Sequence, residues 1–173
     1  LDSHGMRNWA TRAVGGSNMA HTMEAAVAEL DNGGDVADSL ALGAVRGARG
    51  NSGMVLSQVL RGVAESTVDS VIDGAVFVRS LKQAVELVDR AIAEPVEGTV
   101  ITVLKAAAEA ADDAEAQSGA TLHSIVSAAI AAAETALERT PSQLPALREA
   151  GVVDAGGAGL VILLESLLAE IEG

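Results

Sequence analysis

The sequence predicts an all-α fold, an antiparallel up-and-down bundle or barrel of about eight helices. Apolar residues recur at helical spacing, as in Val78, Leu81, Val85, Val88 and Ile92, or Leu122, Val126, Ala129, Ala133 and Leu137. No stretch shows the period-two alternation of a half-buried strand. The breaks between periodic segments are short and rich in turn residues, and short links make successive helices antiparallel neighbours.

In chain order, the first helix is expected near residues 2–14 and stops at Gly15-Gly16. The second, 18–31, ends at Asn32-Gly33-Gly34, and the third, 35–48, runs up to Gly50-Asn51. The fourth and fifth, 51–68 and 75–93, are divided by Asp73-Gly74. Pro95 and Gly98 precede the sixth, 99–118, and Ser118-Gly119 precedes the seventh, 121–140. A short extra turn is expected after Pro141, and the last helix, 155–172, starts within the glycine-rich stretch from Gly151 to Gly159. No repeat or linker divides the 173 residues, so one domain is expected.

Composition restricts the core and the partners. Hydrophobic residues make up 49% of the chain, yet there is one Phe, one Trp and no Tyr, so Ala, Val, Leu and Ile must form the interior. Trp9 and Phe77 are expected to fill core gaps. Abundant alanine favours closely packed helices. Twenty-four acidic residues oppose eleven basic ones, a net charge of -13 that repels nucleic-acid backbones and anionic membranes. With no basic cluster and almost no aromatics for base stacking, no nucleic-acid partner is expected. The absence of cysteine excludes disulfides, thiolate metal sites and a cysteine nucleophile, and suits a cytoplasmic protein. No membrane span and no signal-peptide layout are visible. Because the chain opens on Leu1, it is expected to be part of something longer.

Up-and-down topology places alternate helix starts at one end. The second, fourth, sixth and eighth starts read Gly16-Ser17-Asn18-Met19, Gly50-Asn51-Ser52-Gly53, Glu97-Gly98-Thr99 and Asp154-Ala155-Gly156-Gly157. Each combines backbone N–H groups with small residues and a hydroxyl, amide or carboxylate. Converging helix N-termini contribute roughly half an elementary charge each at most, enough to seat a phosphate on an acidic protein. Ordinary capping is the alternative for any one of them.

Other candidates read more plainly. Asp154 suits an N-cap better than a catalytic base, and Glu97 suits a residue at the head of its helix. Arg46, Arg49 and Arg61 lie near the glycine-rich loop, where one could pair with phosphate, although solvated roles are favoured. His4, His21 and His123 share no metal-site spacing. No catalytic residue or metal ligand is nominated.

GARGNSGMVLSQVLRG, EPVEGTVITVLKAAAEAA and LREAGVVDAGGAGLVILLE occur in this order. Together they resemble the L-subunit domain of dihydroxyacetone kinases, and more closely the N-terminal domain of bacterial fatty-acid kinase, from about Gly16 to the C-terminus. The resemblance implies an eight-helix barrel with ATP or ADP at one end and two Mg2+ ions between the phosphates and a loop of clustered aspartates. It assigns Gly16, Ser17, Asn18 and Met19 to a segment approaching the phosphates, and Gly50, Asn51, Ser52 and Gly53 to the glycine-rich phosphate loop. Gly98 and Thr99 fall in the segment that closes over the nucleotide. Asp154, Ala155 and Gly156 match a late turn beside it.

One departure stands out: no aspartate lies between Asp2 and Asp31, where the family holds its metal ligands. Either the metal loop is lost, or a connecting stretch between Val14 and Ser17 is missing from the sequence. The expected activity is Mg2+- and ATP-dependent phosphoryl transfer to an acceptor presented by a partner protein. The acceptor is a fatty-acid carboxylate on a lipid-binding carrier or, alternatively, dihydroxyacetone on a separate subunit. A homodimer is left open, as is a non-catalytic nucleotide-binding or scaffold role.

Overall fold

A computed structural model of the chain describes residues 1–13, 20–67 and 69–173. Among these it is all-α, as the periodicity predicts. The helices are α1 (Ser3–Ala13), α2 (Ala20–Glu29), α3 (Val36–Gly47), α4 (Gly50–Ser66), α5 (Gly74–Ala91), α6 (Val100–Glu115), α7 (Leu122–Gln143), α8 (Pro145–Ala150) and α9 (Ala155–Glu172). Each helix from α1 to α7 packs on the next, α9 packs on α6 and α7, and α1 closes the ring against α9. The six-residue α8 is too short to span the barrel, so the parity of the long helices is kept. No helix of the described residues is long and apolar enough to cross a membrane.

The core is aliphatic, and its small residues set the helix separations. Ala107, Ala108 and Ala111 of α6 are buried with Ala129 and Ala133 of α7. Between α2 and α3 the approach is closer still: a Cβ added at Gly43 would meet the Ala25 carbonyl and lie 2.8 Å from Ala26 Cα. On α4, a Cβ at Gly62 would stand 2.6 Å from the Ser80 carbonyl of α5. Ring closure adds a directional contact. Trp9, expected only as core filling, donates its buried indole N–H to the Leu163 carbonyl at 3.0 Å, and Asn8 Nδ2 donates to Glu170 Oε1 at 3.3 Å.

One boundary differs in an informative way. The sequence places the end of α7 before Pro141, but the helix continues through it to Gln143. Proline has no N–H for the carbonyl four residues earlier. Here the Thr140 hydroxyl donates to that Leu137 carbonyl at 2.7 Å, satisfying the group that proline leaves open. Arg148 then donates to the exposed carbonyls of Pro141 and Ser142. Pro145 does end the helix, since the preceding Leu144 adopts the extended conformation (φ -122°, ψ 112°) that proline favours before it. Among the described residues the eight expected helices therefore become nine, with α8 taking the place of the expected turn.

Helix starts at the two ends are treated differently. At one end, Asp38 N–H donates to Asp35 at the head of α3, and Val76 N–H to Asp73 at the head of α5. Thr121 and Ser124 exchange reciprocal bonds at the head of α7, a capping box. Asp35 also accepts from Ser70 Oγ at 2.7 Å, and that bond, with the Asp38 amide, holds its carboxyl below the usual carboxylate range.

Gly43→Ala should lower stability by about 1–3 kcal/mol in urea unfolding, because backbone atoms block the new methyl. At an unobstructed helical site the same change is worth a gain of roughly 0.5–1 kcal/mol, so the sign alone checks the α2–α3 contact. For Asp35, a depressed folded-state pKa stabilises above the unfolded value and loses that contribution as pH falls through the folded one. Ser70→Ala should therefore destabilise at neutral pH, with the gap from the parent narrowing below about pH 4 in parallel urea titrations.

Candidate functional site

At the opposite end, among the described residues, no side chain accepts from the first-turn N–H groups of α4 or α6. The α4 cap position is Arg49, in extended conformation, and Gly50 follows with φ of 65°, a left-handed angle that glycine adopts without strain. At α6 the Thr99 hydroxyl turns back to donate to the Val96 carbonyl at 2.7 Å, and Glu97 is occupied by the Thr102 hydroxyl at 2.8 Å. Two helix heads thus present donors that nothing in the described fold consumes. Such ends carry partial positive charge and suit an anion.

These heads share one cleft of about 220 Å3. Asn51 and Ser52 from α4, Thr99 at the head of α6 and Asp154 at the head of α9 provide its polar lining, and Val55, Ile92, Val96, Val100 and Ile101 its apolar walls. Close packing brings the heads together. A Cβ on Gly156 would run into the Ser52 hydroxyl and stand 3.3 Å from Val100 Cβ, so α9 touches α4 and α6 where it begins. A Cβ on Gly53 would lie 2.7 Å from Thr22 Oγ1, which brings the first turn of α2 against α4. Parity therefore places the heads of α2, α4, α6 and α9 together, as topology predicts.

The individual candidates separate by position. Asn51, Ser52, Thr99 and Asp154 line the cleft. Gly50 and Ala155 are exposed at the heads of α4 and α9, while Gly53 and Gly156 lie behind the lining as contact points. Gly98 (φ 84°) is buried against the end of α7, where a Cβ would stand 3.0 Å from Gln143 Cβ and 3.1 Å from the Thr140 carbonyl. Its role here is to seat the α6 head on α7. Gly16, Ser17, Asn18 and Met19, and the Val14–Ser17 junction, lie outside the described residues.

Asp154 is the N-cap of α9: its Oδ2 accepts from Gly157 N–H at 2.8 Å. Arg46 pairs with Glu29 at 3.2 Å and Arg61 with Glu65 at 2.9 Å, so each already has a carboxylate partner on the surface. Arg49 makes no ion pair among the described residues and stands exposed at the head of α4. His21 lies on the α2 surface beside Glu24, and His123 pairs with Glu172. Among the described residues no three histidine or carboxylate groups come together as a metal site. Glu94 joins Asp154 in the cleft lining, giving two carboxylates of the wrong sign for a bare phosphate.

The apolar wall from the α5–α6 connection, Ile92 and Val96 with Glu94 between them, was not singled out by the sequence. Its signal was the Pro95 break, which marks a turn but does not say which way the turn faces. Thr140 was missed as well, since a threonine before proline reads as a helix end.

A family model described as DAK2 domain matches residues 15–169, in line with the resemblance carried by the three motifs. Protein YloV of Bacillus subtilis (strain 168) is 38% identical over 164 residues, covering 91% of this chain and 30% of that protein. Uncharacterized proteins of Staphylococcus saprophyticus and of Staphylococcus aureus (strain USA300) are each 37% identical over 164 residues, with the same coverage. The chain spans 30% of the length of these curated relatives.

The cap at α9 is testable apart from any ligand. Asp154→Ala should cost about 1 kcal/mol in urea unfolding through loss of the Gly157 bond, and Asp154→Asn should retain most of it.

Proposed function

The chain belongs to the DAK2 domain family, and on that premise we propose that it is the nucleotide-binding domain of a phosphotransferase. The reading is that ATP binds in the α4–α6–α9 cleft and gives its γ-phosphoryl group to an acceptor presented by a partner protein. The observation that carries it is the convergence of the two uncapped helix heads, α4 and α6, on one cleft.

Phosphoryl transfer asks a protein chiefly for positioning and charge neutralisation. In this reading the N–H groups of the α4 and α6 first turns bind phosphate oxygens, with the Ser52 hydroxyl and Asn51 amide adding donors. Gly53 and Gly156 keep neighbouring elements close enough to hold those donors still. Arg49, without a carboxylate partner among the described residues, supplies positive charge at the head of α4. Ile92, Val96, Val100 and Ile101 form a wall that excludes water and suits the apolar face of the nucleotide. An acceptor oxygen attacks the γ-phosphorus, the bond from that phosphorus to the ADP oxygen breaks, and ADP leaves with the electron pair.

Magnesium, when bound to ATP, supplies further neutralisation of phosphate charge. The described residues do not fit a protein-built magnesium site, since Glu94 and Asp154 are the carboxylates of the cleft lining and no third joins them. For the acceptor we favour a fatty-acid carboxylate on a lipid-binding carrier, with an acyl phosphate as product, on the strength of PVEGT and GVVDAGGAG. Dihydroxyacetone on a separate subunit is the alternative. One observation favours a second reading, nucleotide binding without transfer: no aspartate lies between Asp2 and Asp31.

Thermal unfolding with ATP, with and without magnesium, tests the proposal. A ligand bound only by the native state at a hundred times its Kd adds about 2.7 kcal/mol, a readily measured rise in Tm. A rise that requires magnesium, with transfer to a fatty acid on its carrier, is expected. A rise indifferent to magnesium with no transfer supports the second reading; no rise contradicts both. Turnover of dihydroxyacetone alone contradicts the choice of acceptor. Asn51→Leu or Ser52→Leu should abolish most of the rise at unchanged helical content.

A further inference from the structure

We infer that Thr140 is a positioning residue for the nucleotide cleft, holding the heads of α9 and α6 against the end of α7. The inference rests on the reading of that cleft as the ATP site. Thr140 is completely buried and does not line the cleft. Its hydroxyl has two partners: it donates to the Leu137 carbonyl at 2.7 Å and accepts from Asp154 N–H at 3.0 Å. The first group is the carbonyl that Pro141 cannot serve, and the second is the amide of the residue that heads α9.

Position passes outward from there by direct contact. Asp154 caps α9 through Gly157, and Gly156 abuts Ser52 of the α4 head. On the other side, the Thr140 carbonyl lies 3.1 Å from where a Gly98 Cβ would stand, so the lead-in to α6 rests on the same residue. One residue therefore meets two of the helix heads that form the cleft, the α9 head through its hydroxyl and the α6 lead-in through its backbone carbonyl. A buried hydroxyl with both partners fixed allows little reorientation, whereas removing it strands a buried donor and a buried acceptor together.

The test compares Thr140→Val, which keeps the shape and loses the hydroxyl, with Thr140→Ser, which keeps the hydroxyl. Two readouts are taken on the purified protein: ATP affinity by calorimetry, and amide hydrogen exchange over residues 152–157. Thr140→Val should weaken ATP binding by roughly tenfold and speed exchange in that segment, while Thr140→Ser stays within about twofold of the parent. Pro141→Ala, which restores an N–H for Leu137, should leave affinity unchanged. Combined with Thr140→Val it isolates the Asp154 bond and offers a folded background should the single variant not fold, and binding should again weaken.

Faster exchange with unchanged affinity in the Val variants would make Thr140 merely structural and overturn the inference. Equal affinity and equal exchange would overturn it too. If the parent itself binds no ATP, the nucleotide reading fails and takes this inference with it, a result distinct from a parent that binds and a variant that binds equally well.

Discussion

The first-turn N–H groups of a helix must find acceptors, and the way this chain meets that requirement differs at its two ends. At the heads of α3, α5 and α7, side chains of Asp35, Asp73 and Thr121 accept those bonds. At the heads of α4 and α6 the cap positions are Arg49, which cannot accept, and Thr99, whose hydroxyl is turned toward Val96. A net charge of -13 repels anions from the surface generally, so local helix-end donors are what can reverse that sign at one place.

Keeping those donors in one place is the work of the barrel. Small residues let neighbouring helices approach until backbone meets backbone, as at Gly43 against Ala25 and Ala26 and at Gly62 against Ser80. The buried alanines of α6 and α7 extend the same packing. Trp9 fixes α1 to α9 and closes the ring. Because the long helices alternate in direction, closing the ring also gathers the heads of α2, α4, α6 and α9 at one end and those of α3, α5 and α7 at the other. The cleft is therefore a consequence of helix parity together with the absence, among the described residues, of side-chain caps on α4 and α6, while Asp154 caps α9.

Much of this was legible in the sequence. Helical period and short glycine-rich breaks give the number of long helices and their antiparallel order, and order alone gives which heads share an end. Asn51, Ser52, Thr99 and Asp154 follow from it. Pro141 was misread because proline normally ends a helix, and only the folded chain shows that the Thr140 hydroxyl serves the vacant Leu137 carbonyl. The Ile92–Val96 wall was hidden for a related reason: a turn residue marks where a chain bends without saying which neighbour it bends toward. Gly98 carried a correct signal for a tight place, but the close neighbours it meets are Gln143, Leu144 and Thr140.

In the reading we propose, phosphate is held by the backbone at the heads of α4 and α6. The most direct measurement is an amide chemical-shift titration of the isotope-labelled protein with MgATP, followed residue by residue. Backbone phosphate binding should give large shifts in Asn51, Ser52, Gly53, Val100 and Ile101, smaller ones at Asp154 to Gly157, and none at the capped heads of α3, α5 and α7. Saturable shifts confined to another surface, such as the groove lined by Lys82 and Lys105 between α5 and α6, or no shifts at all, would contradict it.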